Sequence, residues 1–260
     1  MTRYGIVGFG RIGQRLAARL EGAVAVLVRP PHAHHAAAVV GADKVCTSLK
    51  DFIGRQPAVV VECASAAVLA ELGAPLLAAG IDLVPLSLAA LADRAVEQRL
   101  MAAAEAGPGR LEIAPGAIGT LDLLATAREE AIARVVYRQL KSPAMWKLVS
   151  AARGIDFGPI KTRTVFRRGS VRALATDFTG NLNTAVGVAL AGLGLDRTEA
   201  ELVADPTLSE TAHELEVHAA PGNAVLKLGG RDVPPDGDPV DYTTFSLIRV
   251  LRRRDARVVI

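Results

Sequence analysis

The chain has 260 residues, enough at roughly 150 residues per domain for one large domain or two modest ones with a sizeable core. Half of its residues are hydrophobic and the mean hydropathy is +0.29, which excludes intrinsic disorder for the bulk of the chain. Thirty Lys and Arg against 27 Asp and Glu leave a surplus too small to point to a phosphate backbone, and two cysteines, Cys46 and Cys63, form neither a disulfide framework nor a metal site alone.

Through the first 115 residues, short apolar runs alternate with stretches of helical periodicity, the pattern of βαβ units around a parallel sheet. Tyr4 to Val7, Val24 to Val28, Val59 to Cys63 and Leu83 to Leu86 read as buried strands, and Leu111 to Ala114 as one more. Ile12 to Leu20, Ala66 to Ala79 and Leu88 to Ala106 carry helical spacing between them. From Ala133 onward, Arg134 to Lys141, Lys161 to Arg167, His213 to His218 and Asn223 to Leu228 alternate like strands of a mixed sheet, interrupted by an Ala- and Gly-rich helix, Asn183 to Leu193. Pro234 to Pro239 reads as a linker and Tyr242 to Arg253 as a last helix, whose run Arg252 to Arg254 is a solvated helix end. The expected organisation is therefore α/β. Residues 1–115 form a dinucleotide-binding domain to which residues 240–260 return, and residues 116–239 form a second α/β domain with a mixed sheet.

No n-region with an apolar h-region and cleavage site precedes Tyr4, and the longest uncharged stretch, Phe178 to Leu195, reads as a loop and a small-residue helix rather than a span. A soluble, cytoplasmic chain without membrane or nucleic-acid partners is expected.

Gly8-Phe9-Gly10-Arg11-Ile12-Gly13 is a G-x-G-x-x-G that follows a strand and opens a helix, the context of a Rossmann dinucleotide site. The first glycine permits the turn, the second lets backbone approach a pyrophosphate, the third allows close helix packing, and the helix N-terminus offers N–H groups to phosphate. After the second strand stands Arg29, where an NAD-restricted site usually carries a carboxylate, and no acid occurs between Glu21 and Asp43. Arg29 is a candidate partner of a 2′-phosphate, so that NADP is accepted alongside NAD; it also reads as a surface arginine beside Pro30-Pro31. His32, His34 and His35 read as a solvated loop near the adenosine, with a metal triad conceivable. In a period-two strand, His213 shares a face with Leu215 and Val217, opposite Glu214, Glu216 and His218. An inward histidine is either a hydrogen-bonded core residue or, in a dinucleotide enzyme, a proton-transfer group.

Taken in order, Gly8 to Gly13, Val61-Glu62-Cys63-Ala64-Ser65, Pro115-Gly116-Ala117-Ile118-Gly119-Thr120-Leu121-Asp122, Asn181-Leu182-Asn183, Ala191-Gly192-Leu193-Gly194, Val203-Ala204-Asp205-Pro206 and His213-Glu214-Leu215-Glu216-Val217 resemble the L-aspartate dehydrogenases across nearly the whole chain. The resemblance implies a Rossmann domain joined to an α/β domain, usually in a homodimer. It also implies reversible NAD(P)-dependent oxidation of L-aspartate to iminosuccinate, which can feed NAD biosynthesis or hydrolyse to oxaloacetate and ammonia. By motif, His213 matches the catalytic histidine, and Ala117 and Asn183 match positions that contact the nicotinamide nucleotide; Cys63, Ala64 and Ser65 join the cofactor-binding set. Lys141 and Ser87 are candidates for the substrate, Lys141 reading equally as a surface lysine. Thr120, Ala89 and Ser209 to Ala212 depart from the family pattern and bear on substrate identity. Two other readings are a dihydrodipicolinate-reductase-like imine reductase, whose basic His-rich motif would sit in the second domain, and a non-catalytic NAD(P)-binding sensor.

Overall fold

The computed structural model describes residues 1–229 and 242–259; the linker-like Pro234 to Pro239 lies outside them. The chain forms two compact units, Met1–Gly116 with Thr243–Ile260, and Ala117–Tyr242.

The first unit runs β1 (Tyr4–Val7), α1 (Arg11–Arg19), β2 (Ala23–Leu27), α2 (Ala33–Val40), β3 (Val45–Cys46), α3 (Leu49–Gly54), β4 (Val59–Glu62), α4 (Ala66–Ala78), β5 (Asp82–Pro85) and α5 (Arg94–Ala106). Its five strands lie in the order β3-β2-β1-β4-β5, each pair parallel. Every residue of β1, β4 and β5 is buried. Parallel strands covered on both faces demand such continuous apolar runs. Ser65 caps α4 by accepting from the Val68 N–H, whereas α1 begins at Gly10 with no side-chain cap.

Three expectations are corrected here. The stretch Leu88 to Ala106 is not one helix: a short 3-10 turn, Leu88–Ala92, is followed by Asp93, whose carboxylate accepts from the Ala95 and Val96 N–H groups and starts α5 afresh. Of Leu111 to Ala114, only Leu111 pairs, through a single bridge to Leu83. The histidine-rich stretch is helical, a 3-10 turn over Pro30–His32 leading into α2, because two prolines at its start supply the fixed φ and the missing N–H that a helix tolerates there.

The second unit comprises α6 (Leu121–Arg128), β6 (Ile132–Lys141), α7 (Pro143–Lys147), β7 (Thr164–Ser170), α8 (Val171–Asp177), α9 (Asn183–Ala191), β8 (Glu199–Ala204), β9 (Ala212–Ala219) and β10 (Gly222–Leu228). Its sheet has the order β10-β9-β6-β8-β7, antiparallel except for the β6/β8 pair. Four of the chain's ten aromatics gather here: Phe166 packs edge-on against Trp146, Phe157 and Phe178. Trp146 is fully buried and its Nε1–H donates to the Val203 carbonyl at 2.8 Å, which satisfies the indole inside the core.

The last helix, α10 (Tyr242–Arg253), belongs to the first unit, where Leu247, Ile248, Val250 and Leu251 join a core cluster with Tyr4, Ile6, Leu16, Val26 and Val59. Burial of each such side chain is worth roughly 1.5–3 kcal/mol. The basic run at its end is not simply solvated. Arg254 donates to Asp82 at 2.6 Å and also bonds Glu112, which Arg253 reaches at 2.8 Å. Burial alone would raise the Asp82 carboxyl, but Arg254 and Arg110 outweigh it and hold the group below its ordinary range.

Candidate functional site

In the first unit the C-terminal ends of β1, β2 and β4 open on a cavity of about 820 Å³, lined among others by Gly8, Phe9, Gly10, Arg29, Ala64 and Ser65. Its floor tolerates almost no side chain. Gly8 has φ +92°, and a Cβ there would sit 2.8 Å from the Ala64 Cβ; one at Gly13 would sit 2.5 Å from the Gly8 carbonyl oxygen. At Gly10, by contrast, nothing lies within 4 Å, leaving room for a ligand above the uncapped start of α1. The glycines at both ends of the motif are required for packing and the middle one for access, which fits a pyrophosphate held by N–H groups. Arg11 and Ile12 form the first turn of α1, and Ile12 is partly buried against the core.

The wall beside this loop is organised by a residue that the sequence reading quoted but gave no role, Glu62 at the end of β4. Only 1% exposed, its carboxylate accepts from the Ala64 and Ser65 N–H groups at 2.8 and 3.0 Å and from the N–H and hydroxyl of Ser87 at 3.1 and 2.9 Å. Burial raises its pKa and the four donors pull it back. Glu62 thus ties the loop after β4 to the loop after β5. Ser87 is committed to this tie in the first unit. Cys63 rests against the Gly8 carbonyl at 3.4 Å, and burial, helped by the Glu62 charge, pushes its thiol up to about 12, so it packs rather than reacts.

Arg29 lines the same cavity, its Nη2 3.1 Å from the His32 Nε2, while His35 lies 3.3 Å from the Gln14 amide and against the Phe9 ring. The carboxylate among the lining residues, Glu71, comes from α4 rather than from the end of β2. Among the described residues no group of three or more His, Cys, Asp or Glu is arranged to hold a metal ion.

The second unit carries a separate polar cluster. Register places Gln139 of β6 opposite His213 of β9, and alternation puts Tyr137, Gln139 and Lys141 on one face of β6. The Tyr137 hydroxyl lies 2.7 Å from the His213 Nδ1, and the Lys141 Nζ sits 5.4 Å from the Trp146 ring centre. Burial, with the nearby Lys141 charge, depresses the His213 pKa to about 4, so the imidazole is neutral at working pH. Burial also lowers Lys141 and raises the phenol of Tyr137, whose other side-chain neighbour is the Thr184 hydroxyl in the first turn of α9. The Gln139 Oε1 is buried and has no hydrogen-bond partner among the described residues.

The opposite face of this sheet is a charge ladder. Arg138 bridges Glu201 and Glu216 at 2.6 and 2.9 Å, Arg168 also holds Glu201, and Arg163 pairs with Glu214. His213 is thereby separated from Glu214 and Glu216, which are neutralised by arginines across the sheet. Among the described residues, His213 and Lys141 stand on one face without a carboxylate partner, an arrangement chemically able to take up a proton beside a bound anion.

Ala117 and Asn183 belong to the second unit, Asn183 opening α9 directly before Thr184. Thr120 has φ −136°, a conformation that any side chain adopts without strain. Tyr137 and Thr184 went unseen in the sequence: the alternation of Tyr137, Gln139 and Lys141 was a signal, but it needed the β6/β9 register to reach His213.

A family model described as aspartate dehydrogenase, C-terminal, matches residues 122–254, and one described as homoserine dehydrogenase, NAD binding domain, matches residues 8–114. The L-aspartate dehydrogenase of Serratia proteamaculans is 33% identical over 256 residues, covering 97% of each chain. L-aspartate dehydrogenase 1 of Bordetella pertussis is 37% identical over 235 residues, covering 88% of this chain and 86% of that one. Among solved structures, the aspartate dehydrogenase of Thermotoga maritima superimposes with a TM-score of 0.80 at 23% identity, covering 100% of this chain and 99% of the other, which establishes the shared fold.

Proposed function

The chain belongs to the aspartate dehydrogenase family, and from that premise we propose that it oxidises L-aspartate at its CH–NH₂ carbon with NAD(P), giving iminosuccinate, reversibly. The observation within the chain that carries this reading is His213, a neutral imidazole with Nδ1 engaged by Tyr137 and the Lys141 ammonium close by.

The glycine motif and the uncapped start of α1 would hold the pyrophosphate, and Arg29 a 2′-phosphate, so that both NAD and NADP are used. The cofactor supplies a hydride acceptor for the substrate Cα–H. His213 accepts a proton from the α-ammonium through Nε2, so that the amine lone pair can form the C=N bond as hydride leaves. Lys141 binds a substrate carboxylate, and that carboxylate offsets the positive charge that depresses His213. That removes the smaller, Lys141 part of the depression, while burial, the larger cause, continues to hold His213 below its ordinary pKa, so the protonated ring is a strong enough acid to return the proton in reductive amination. Assembly as a homodimer, a cytoplasmic location and supply of the imine to pyridine-nucleotide synthesis complete the proposal. Among the described residues no helix is long and apolar enough to cross a membrane.

A spectrophotometric panel of amino acids with NAD and NADP, and of oxaloacetate plus ammonium with the reduced cofactors, tests it. Turnover of aspartate with both cofactors is expected, with Arg29→Ala raising the KM for NADP about tenfold and leaving that for NAD. Absence of turnover with aspartate and oxaloacetate overturns the function, and wild-type activity with NAD alone overturns the role of Arg29. Light scattering checks the dimer.

A further inference from the structure

We infer that His32 is a second ligand of the cofactor's 2′-phosphate beside Arg29, and that it takes up a proton from solvent when NADP binds but not when NAD binds. This inference rests on the reading of Arg29 as the 2′-phosphate partner and adds to it a proton-linked choice between the two cofactors.

The local fold sets the pair side by side. Strand β2 ends at Leu27, and Arg29 leads into the 3-10 turn Pro30–His32, in which the His32 N–H donates to the Arg29 carbonyl at 2.9 Å. Residues three apart eclipse one another in such a turn, so Arg29 and His32 come to one side of it. Pro30 and Pro31 fix φ inside the turn and hold the pair in place before a ligand arrives. Both side chains line the cavity that also holds Gly8 and Gly10.

Proton counting does the rest. The Arg29 Nη2 lies 3.1 Å from the His32 Nε2. A guanidinium has only donors, so Nε2 must accept, and an imidazole that accepts there is neutral with its proton on Nδ1. The pair as it stands offers one positive charge, whereas a phosphate monoester carries about −1.5 to −2 near neutral pH. When Arg29 turns its N–H groups to the phosphate, the His32 Nε2 loses its donor. One solvent proton on that nitrogen gives an imidazolium that donates to the same phosphate and nearly cancels its charge. NAD carries a hydroxyl at that position and nothing to hold the proton.

The other titratable groups lining the cavity are His35, Cys63 and Glu71. His34 and His35 come from α2, the helix packed against the turn; the His35 Nε2 lies 3.3 Å from the Gln14 amide and its ring rests against Phe9. Burial keeps the Cys63 thiol protonated, and Glu71 stands on α4. His32 is the histidine whose ring nitrogen meets Arg29.

The test is titration calorimetry of the full chain with NADP and with NAD at about pH 7.5, in two buffers of different ionisation enthalpy, which counts the protons exchanged. NADP should take up about half a proton more than NAD. That excess should vanish in His32→Gln and persist in His35→Gln and Glu71→Gln. A phosphate held by Arg29 alone gives no uptake, because a guanidinium lowers the phosphate pKa and favours release. By linkage, the affinity for NADP relative to NAD should fall about tenfold between about pH 6.5 and 8.5 in the wild type. It should stay level in His32→Gln and, at a higher value, in His32→Arg, whose charge is permanent. No excess uptake in the wild type, or uptake retained in His32→Gln, overturns the role of His32 even where Arg29→Ala weakens NADP binding. An NADP affinity unchanged in Arg29→Ala overturns the reading of Arg29 and this inference with it, so the two failures are distinguishable.

Discussion

The two sheets solve different problems with different chemistry. In the first unit the strands are buried and mostly apolar, and the part of the cavity offered to a pyrophosphate is made of backbone: Gly8, Gly10 and Gly13, the bare start of α1 and the N–H groups that Glu62 fixes in place. In the second unit each face of the sheet sets polar side chains among buried apolar ones, with Tyr137, Gln139, Lys141 and His213 beside Val135, Leu215 and Val217 on one face and paired Arg and Glu side chains beside Val136 and Leu140 on the other. A surface of backbone N–H groups recognises phosphate whatever the side chains are, whereas proton transfer needs particular side chains with tuned pKa values. Binding and chemistry are therefore expected to respond to mutation separately.

The strongest attempt to break this comparison is Gly13→Val, since its Cβ would meet the Gly8 carbonyl at 2.5 Å and open the loop from below. Cofactor affinity should fall by about 100-fold or more by calorimetry, with the His213 titration unchanged. Lys141→Met probes the other unit. Loss of its charge should raise the KM for aspartate by about 10–30-fold, a charge-assisted contact being worth about 1.5–3 kcal/mol. It should also raise the His213 pKa above about 4, so that the acid limb of aspartate oxidation moves to higher pH, because the base must be deprotonated to act. The smallest effect is expected of Glu62→Gln, which replaces one acceptor oxygen by an amide donor among four donors. The loops after β4 and β5 should loosen and the cofactor Kd rise about tenfold, with kcat at saturation little changed.

The parallel sheet was legible because short, mostly apolar runs such as Val59 to Val61 with helical spacing between them leave few alternatives. The last helix was legible at both its ends, Tyr242 and Arg253, from its periodicity. Strand β8 was not, because Glu199 and Glu201 break an apolar reading; Glu201, only 4% exposed, is tolerated by Arg138 and Arg168 from β6 and β7, partners that only the fold brings together. The helix α2 carried its signal in Pro30 and Pro31, which read as a loop until their place at a helix start was seen. In the candidate site, the glycine loop is local and could be read from spacing alone. The contact of Tyr137 with His213 joins residues 76 apart and depends on a strand register, and the grip of Glu62 on Ser87 spans two loops. Such relations belong to tertiary structure, and no pattern along the chain contains them.

The division of labour is tested most directly by one variant measured in two ways, His213→Ala with cofactor affinity by calorimetry and aspartate oxidation by absorbance. The expected result is a wild-type Kd for the dinucleotide with kcat lowered by about 100-fold or more. Near-normal turnover, or a loss of cofactor binding that matches the loss of rate, would contradict it.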